Sequence, residues 1–346
     1  MKIAFCVSPL FNSHSVRGIG AYTKNLLKYL KQNSGLHIQE FSDINEVKIA
    51  DIVHYPFFDL FQRSLPIPKK IPTVVTIHDV IPLTNPTAYP PGIKGAFNNY
   101  LQKLSLKNVA AIITDSVSSK EDIIKYVKVS AEKIYPIALA PTSHFRKINR
   151  TEELKRVKDR YHLPGKFALF TGNVNWNKNL LNLSEAALKA KIDLVLIGKG
   201  FEEKNNLDHP EMKSFKNFLN LYSNNPKVHI LGFVKDEDLV AITNLANVVL
   251  MPSFIEGFGL PILEAQICGV PVITSNTSSM PEVAGYGALL VDPKSVEGIS
   301  QAISKIMEGN KLSESLIVEG LKNVKKFSWK KVAQETIEVY GKVLRP

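Results

Sequence analysis

Two glutamates, Glu256 and Glu264, stand eight residues apart in a stretch that could bind an anion. The apolar run 248–251 before them predicts a buried strand, and the apolar residues that follow recur at helical spacing. Between the two lie Gly257 and Gly259, where a ligand could approach the backbone and the positive end of the helix. The order of strand, glycine turn and helix therefore predicts an anion site flanked by two carboxylates.

The helix of this stretch has recognisable ends. Pro261 suits its first turn and Gly269 suits the left-handed position after it, so we expect a helix over Leu260–Cys268. The two carboxylates could accept hydrogen bonds from sugar hydroxyls. They could instead have ordinary tasks, with Glu256 solvated in its loop and Glu264 stabilising the first turn through the helix dipole.

Composition limits the class of protein. A chain of 346 residues with 45% hydrophobic content is long enough for about two domains. Because no apolar run approaches 18 residues and no charged-then-apolar leader occurs, we expect no transmembrane helix, no signal peptide and a cytoplasmic location. Two cysteines, Cys6 and Cys268, are too few for a disulfide framework or a metal cluster and suit small core positions. We expect no metal and no other cofactor.

The formal net charge of +11 is uneven along the chain. Residues 1–160 carry 23 basic and 13 acidic side chains, whereas residues 161–346 carry 20 and 19. A basic half favours acidic partners, such as an anionic membrane surface or a phosphorylated substrate, although it also fits a merely lysine-rich soluble surface. Since neither zinc-ligand spacing nor an aromatic RNA-binding motif occurs, we expect no nucleic-acid partner.

Short apolar runs alternate with helical patterns along the whole chain, and the alternation restarts after Leu163-Pro164-Gly165. Strands that alternate with helices predict parallel sheets covered on both faces. We therefore expect two Rossmann-like domains, 1–162 and 163–326. An amphipathic helix at 327–346 is expected to pack back on the first domain.

Several polar residues follow predicted strands, where ligands bind in parallel sheets. His78 and Asp79 directly follow the run 73–77, and Lys178 lies in the loop after the first strand of the second domain. A His-Asp pair in such a place is often only a local turn, and a loop lysine is often only solvated. As functional groups, the first two would line a cleft and Lys178 would offer a point charge to a phosphate.

Together these segments resemble glycosyltransferase family 4, the retaining, nucleotide-sugar-dependent enzymes of GT-B fold. The paired-glutamate segment 256–264 is highly specific, and the resemblance covers nearly the whole chain through supporting segments at 18–22, 76–82, 172–179, 268–274, 280–285 and 292–293. The resemblance implies an α/β protein of GT-B fold, with two Rossmann-like, doubly wound parallel-sheet domains facing each other across a cleft. The first domain would bind the acceptor and the second the nucleotide sugar.

The resemblance also implies a task for each candidate residue. Glu264 would accept the ribose hydroxyls, Glu256 would hold the donor sugar, and Lys178 would neutralise the diphosphate. His78 would approach the sugar from the acceptor side, with Asp79 orienting nearby. The remaining donor-binding positions are Gly18, Gly20, Asn173, Gly257, Phe258, Gly259 and Leu260. Gly18 and Gly20 alone would be weak evidence, because the third glycine of a dinucleotide fingerprint is missing.

One departure from the family pattern concerns cations. Many members carry Arg where this chain has Asn173 or Asn177. Either Arg17 or another basic residue supplies that charge, or the leaving group is stabilised less strongly here.

The implied reaction is transfer of a hexose, with retained configuration, from a nucleoside diphosphate to a hydroxyl group. The departing phosphate takes the acceptor proton, so no protein nucleophile is required. The donor expected is GDP-mannose and the acceptor a glycan or lipid-linked glycan of a bacterial surface polysaccharide, reached from the inner face of the plasma membrane. A UDP-sugar donor and a non-catalytic nucleotide-sugar-binding subunit are the alternatives. A glycoside hydrolase is disfavoured, because its two acids would have to flank one bond.

Overall fold

The computed structural model describes residues 1–12, 18–203 and 205–345. The chain divides into two compact units, one formed by Met1–Ala140 with Phe327–Pro346 and the other by Pro141–Lys326. Each unit contains a six-stranded parallel sheet with flanking helices, which confirms the predicted fold class.

The first unit has its strands in the order β2-β1-β3-β4-β5-β6. The strands are β1 (Lys2–Cys6), β2 (His37–Phe41), β3 (Ile52–Tyr55), β4 (Thr73–Thr76), β5 (Ala111–Thr114) and β6 (Ile134–Pro136). The helices are α1 (Gly18–Leu30), α2 (Ile81–Thr84), α3 (Gly92–Leu106), α4 (Val117–Asp122) and the final helix α13 (Trp329–Leu344). Strands β3, β4 and β5 are wholly buried, as strands covered on both faces must be.

The second unit has its strands in the order β12-β11-β10-β7-β8-β9. The strands are β7 (Phe167–Thr171), β8 (Asp193–Ile197), β9 (Val228–Gly232), β10 (Val248–Met251), β11 (Val272–Ser275) and β12 (Ala288–Val291). The helices are α5 (Thr151–Arg160), α6 (Leu180–Lys189), α7 (Lys213–Tyr222), α8 (Asp236–Leu245), α9 (Leu260–Cys268), α10 (Met280–Ala284), α11 (Val296–Glu308) and α12 (Asn310–Val324). Apolar side chains of the sheet and of α6, α7 and α11 form one core.

The boundary between the units lies after residue 140, not after residue 162 as expected from the sequence. The reason is that α5, which we expected in the first domain, contacts α8 of the second unit. Val157 is buried, and Arg160 Nη1 and Tyr161 Oη donate to Asp238 Oδ2 at 2.8 and 2.9 Å. The charged segment is therefore part of the second unit, and α13 is grouped with the first unit.

Two local features match the sequence. Helix α9 begins at Leu260 and ends at Cys268, between left-handed glycines Gly259 (φ 109°) and Gly269 (φ 72°). Cys6 and Cys268 are buried free cysteines. Among the helices of the described residues, none combines the length and the apolar content needed to cross a membrane.

Candidate functional site

The strand order of the second unit places its switch point between β7 and β10. Strand β7 pairs with β8 on one side and with β10 on the other. From β7 the chain adds β8 and β9 on one side of the sheet and then β10, β11 and β12 on the other. In open parallel sheets, ligands bind in the crevice outside the carboxyl ends of such strands. The loops that follow β7 and β10 carry Lys178 and Glu256, so the sheet brings the predicted site residues of this unit together.

Lys178 and Glu256 form an ion pair. The Lys178 ammonium lies 2.8 Å from both carboxylate oxygens of Glu256, and the two side chains are 20% and 8% exposed. The sequence predicted separate partners for them, a diphosphate for the lysine and a sugar for the glutamate. The structure instead places the two groups in direct contact, so a bound donor would meet them as one polar unit.

Asparagine side chains hold the two loops against each other. Asn177 Nδ2 donates to the Ile255 carbonyl at 3.0 Å, and the Phe254 N–H donates to the Asn177 carbonyl at 2.8 Å. Asn179 Nδ2 donates to the Pro252 carbonyl at 2.8 Å. Trp176 stacks on Phe254 with ring centroids 4.9 Å apart. Asn177, one of the two positions where family members carry Arg, therefore supports the loop of Glu256.

Two serines after β11 also support Glu256, and the sequence analysis did not identify them. Ser278 Oγ accepts the Glu256 N–H at 3.2 Å and donates to the Glu256 carbonyl at 2.8 Å. Ser279 Oγ lies 2.9 Å from the same carbonyl and 2.8 Å from that of Phe258. The sequence offered a signal for these serines, because Thr277-Ser278-Ser279 comes shortly after an apolar run and hydroxyl side chains often bind nearby backbone groups.

The glycine turn brings the start of α9 to this crevice. Gly259 has a φ of 109°, a backbone conformation that residues with a Cβ rarely adopt, so the position requires glycine. Phe258 is buried, and Leu260 begins the helix. The N–H groups of the first turn and the positive dipole end of α9 favour an anion here, and the anion site itself stays a prediction.

Glu264, one turn into α9, is partly buried. Burial raises the pKa of this carboxyl from 4.5 to about 7, and the negative charge of Asp236 adds to the effect. The two family glutamates therefore differ, because Glu256 has a cation beside it and Glu264 titrates near neutrality.

Asn173 lies two residues after the end of β7, in the same loop as Lys178. Its Oδ1 accepts the Val174 N–H at 2.9 Å, and the side chain is exposed. A Cβ at Gly200, in the segment after β8, would lie 2.2 Å from that oxygen. The loop after β8 therefore packs closely on Asn173.

In the first unit, His78 is paired with Asp115. Nδ1 of the imidazole lies 2.8 Å from Oδ2 and 3.1 Å from Oδ1 of the carboxylate. Asp115 follows β5, the strand beside β4, so both side chains lie at the carboxyl edge of the sheet. The sequence analysis missed Asp115, although the strand-end rule that selected His78 applies equally to it. Nε2 of His78 makes no hydrogen bond of normal geometry within the described residues.

The environment of His78 favours its charged form. Burial has the largest single effect and would lower the pKa of the imidazole, but the Asp115 carboxylate and smaller contributions together raise it above its ordinary value of 6.5. Asp79 and the Pro56 carbonyl add smaller effects in the same direction. Asp79 was expected to orient nearby, and its role stays a prediction. The carboxylate that bonds to the ring is that of Asp115, whereas Asp79 Oδ1 accepts the Ile81 N–H at 3.0 Å.

Gly18 and Gly20 lie in the first turn of α1. Arg17, the residue considered as a replacement cation, lies outside the described residues. The tasks assigned to these positions stay predictions.

Comparison with known families gives two matches. Residues 152–323 match the family described as glycosyl transferases group 1, and residues 44–138 match glycosyltransferase family 4. The matches fall mainly in the second and the first unit, respectively.

Two relatives from Escherichia coli are named mannosyltransferases. The chain is 32% identical over 275 residues to O-antigen chain mannosyltransferase B, across 77% of this chain and 69% of the relative. It is 29% identical over 326 residues to the serotype-specific mannosyltransferase WbdA, across 89% of this chain and 39% of the relative. The chain thus spans about two-fifths of the length of WbdA.

Solved structures share the fold. A sucrose-phosphate synthase from Thermosynechococcus elongatus superposes with a TM-score of 0.75 at 19% identity, over 100% of this chain and 99% of that chain. Anabaena HepE in complex with UDP and glucose superposes with a TM-score of 0.71 at 15% identity, over 99% of both chains.

Proposed function

The chain belongs to glycosyltransferase family 4 and is a glycosyltransferase of the GT-B type, and from that premise we propose that it transfers mannose from GDP-mannose with retained configuration. The acceptor is a hydroxyl of a glycan or lipid-linked glycan in the synthesis of a bacterial surface polysaccharide. Support for mannose comes from the relatives, which are named mannosyltransferases.

The observation that carries the proposal is the arrangement at the β7/β10 switch point. A buried Lys178–Glu256 pair lies at the carboxyl ends of these strands, and helix α9 begins in the same loop as Glu256. A diphosphate needs cationic groups and free N–H groups, and a sugar needs a carboxylate that can accept from its hydroxyls. The arrangement brings all of these together from the two loops that follow β7 and β10.

We assign the parts of the donor as follows. Lys178 and the start of α9 at Leu260 neutralise the diphosphate as negative charge builds on the leaving group. Glu256, with the backbone of Gly257, Phe258 and Gly259, holds the sugar. Glu264 in its ionised form accepts the ribose hydroxyls, and no metal or other cofactor is needed.

In the first unit, His78 carries the reaction on the acceptor side as an imidazolium. Its pairing with Asp115 supports this role, because the carboxylate fixes Nδ1, while Nε2 has no hydrogen-bond partner of normal geometry among the described residues. A positive imidazolium would donate a hydrogen bond to an oxygen on which charge develops. Asp79, Gly18 and Gly20 remain proposed site residues in this unit, with Asn173 in the other.

A donor screen tests the proposal. We expect GDP-mannose, at a concentration of about 100 Kd, to stabilise the protein by about 2.7 kcal/mol, while UDP-, ADP- and TDP-sugars have little effect. Slow release of mannose without an acceptor would show that the bound donor is activated. Stabilisation by a UDP-sugar instead would refute the donor assignment, and the absence of hydrolysis and transfer with every donor would refute the enzymatic function.

A membrane surface is the proposed partner of the first unit. Helix α3 exposes Ile93 (94%), Phe97 (62%) and Tyr100 (62%) at spacings of four and three residues, which places them on one side of the helix. No acidic residue occurs in 80–114, whereas three lysines do. An apolar stripe flanked only by positive charge fits the surface of an anionic bilayer. This would place the protein as a peripheral protein on the inner face of the plasma membrane.

Co-sedimentation with vesicles tests this partner. We expect binding to vesicles that contain anionic lipid, and a large loss of binding in Ile93→Ser/Phe97→Ser. Leu221→Ser on α7 is the matched control, since Leu221 is 64% exposed and lies in the other unit. The membrane assignment would be refuted if the co-sedimented fraction did not change with anionic lipid, with salt or with the two α3 substitutions.

A further inference from the structure

A chain of buried hydrogen bonds runs from the last helix of the protein to strand β4. His54 of β3 lies with Nδ1 2.6 Å from the hydroxyl of Tyr340 on α13 and Nε2 3.0 Å from Oγ1 of Thr76. The same Thr76 oxygen lies 3.1 Å from the hydroxyl of Tyr22 on α1. Tyr340, His54 and Thr76 are fully buried and Tyr22 is 3% exposed, so four elements of the first unit share one polar network.

This network ends on the ring of His78. Thr76 is the last residue of β4 and His78 follows two residues later. Tyr22 spans both positions, because its hydroxyl is bonded to Thr76 while its ring meets the imidazole edge to face, with centroids 4.7 Å apart and planes at 88°. The ring of Trp329 on α13 packs on the Tyr22 ring, with centroids 6.0 Å apart. The imidazole is thus held by Asp115 at Nδ1 and by the Tyr22 ring at its side.

The network itself carries no charge near neutral pH. Burial lowers the pKa of His54 to about 3, with a further contribution from the charge of His78. Burial also raises the pKa of Tyr22 and of Tyr340. The titratable groups that face His78 are therefore Asp115, Asp79, the neutral His54 and the neutral Tyr22. Tyr22 and the residues behind it therefore contribute no charge of their own and constrain the position of His78, on which its contact with Asp115 depends.

We propose that Tyr22 is a positioning residue for transfer, anchored through Thr76 and His54 to Tyr340, and that α13 thereby belongs to the catalytic apparatus. This inference rests on the proposed function, in which His78 acts on the substrate. A ring that is held on two sides presents Nε2 in one direction, and a displacement of about 1 Å in such a group can cost about 100-fold in rate. The packing of α13 on α1 then serves the reaction as well as stability.

Four substitutions test the assembly. Tyr22→Leu removes the ring and should lower kcat by about 10- to 100-fold with little change in KM for the donor. Tyr22→Phe keeps the ring and its volume but loses the hydroxyl, and it should lower kcat by about three- to tenfold. It therefore tests the inference even if Tyr22→Leu folds poorly. Tyr340→Phe removes the hydrogen bond between Tyr340 and His54 and should lower kcat by a similar or smaller factor. Tyr161→Phe is the control, because it removes a bonded tyrosine hydroxyl in the other unit.

A measurement without substrate separates this inference from the proposed function. NMR titration of carbon-13-labelled histidine follows the His78 imidazole directly, and its midpoint should move in both Tyr22 variants and in Tyr340→Phe but not in Tyr161→Phe. The titration remains informative even if the wild-type protein transfers no sugar. An unchanged kcat in folded Tyr22→Leu would overturn the inference. A fall in kcat that matches lost stability alone, with the His78 titration unmoved, would also overturn it.

Discussion

Each unit holds a buried charge pair at the carboxyl edge of its sheet, and the two pairs are fixed by different means. Lys178 and Glu256 join two loops across a switch point, and their exposure is 20% and 8%. His78 and Asp115 join the ends of neighbouring strands, and their exposure is 17% and 5%. Backbone contacts from asparagine and serine side chains hold the first pair, whereas an aromatic ring and a buried hydrogen-bond network hold the second.

The comparison separates a permanent charge pair from a pH-dependent one. Lysine and glutamate carry fixed charges at neutral pH, whereas histidine changes its charge within the physiological range. A pair of fixed charges suits the binding of a diphosphate sugar, which is an anion at every physiological pH. The pair that contains His78 can make the reaction depend on pH.

The largest effect is expected from breaking the fixed pair. Lys178→Met should lower kcat/KM for the donor by about 100-fold, because a preorganised cation is lost from the diphosphate site. It should also lower the free energy of unfolding by about 3 kcal/mol, since the Glu256 carboxylate stays buried without its partner. Steady-state kinetics and urea denaturation measure the two effects.

The double variant Lys178→Met/Glu256→Gln distinguishes function from stability. Removing both charges should restore most of the lost stability but none of the activity. Recovery of activity along with stability would show that the pair is only structural.

The next effect concerns the pair in the first unit. Asp115→Asn removes the group that raises the pKa of His78, so the alkaline limb of the kcat profile should move to lower pH. On that limb we expect a lower kcat than in the wild type, because the imidazolium form is then scarcer. A pH profile that keeps its alkaline limb would contradict the assignment of the charged form.

The same substitution has a defined effect on stability. Because folding raises the pKa of His78 above 6.5, the pair stabilises the protein below that pH, and this contribution is lost as pH rises through the raised value. Asp115→Asn should therefore destabilise the protein more at pH 6 than at pH 9.

Sequence periodicity predicted most of the fold because parallel strands and their helices carry strong apolar patterns. Helix α9 was predicted with its correct ends, since proline and glycine mark both of them. Strand β2 was not predicted, because its residues HIQEF lie at a sheet edge and alternate too weakly. The unit boundary was placed about 20 residues late, because a charged segment looks like a linker until its packing on α8 is seen.

The candidate site was predicted in its components more than in its contacts. The strand-end rule selected His78 and Lys178, but spacing along a chain does not reveal that Lys178 reaches Glu256 or that Asp115 reaches His78. The polar network behind Tyr22 was invisible for the same reason, since His54 and Tyr340 are 286 residues apart. Such pairings depend on three-dimensional packing, which periodicity does not encode.

A third test contrasts the paired glutamate with the unpaired one. Burial raises the pKa of Glu264 to about 7, so the folded protein loses stability as pH rises from about 4.5 through 7. Glu264→Gln should remove this dependence and be more stable at pH 8, by up to about 3 kcal/mol. The same variant should bind the donor about tenfold more weakly at pH 8, because the ribose loses a charged acceptor.

Calorimetry and denaturation at pH 5 and pH 8 measure both quantities. If the stability of Glu264→Gln follows the same pH dependence as the wild type, another group causes the titration. Donor affinity that is equal in the two proteins at pH 8 would remove Glu264 from the ribose site.

The smallest effect is expected from the serine that supports Glu256. Ser278→Ala removes a hydroxyl that bonds to both the N–H and the carbonyl of Glu256, so stability should fall by about 1 kcal/mol and kcat by about threefold. Thr277→Ser is the matched control, because it keeps the single bond from this neighbouring hydroxyl to the Phe254 carbonyl. If contacts to the loop backbone hold the Lys178–Glu256 pair, kcat should fall in Ser278→Ala but not in Thr277→Ser. The titration of His78 should stay unchanged in both variants. Equal kcat in the two variants would mean that the Lys178–Glu256 pair does not depend on Ser278 for its position. The support of this pair by side chains that bond to its loop backbone would then no longer distinguish it from the His78–Asp115 pair.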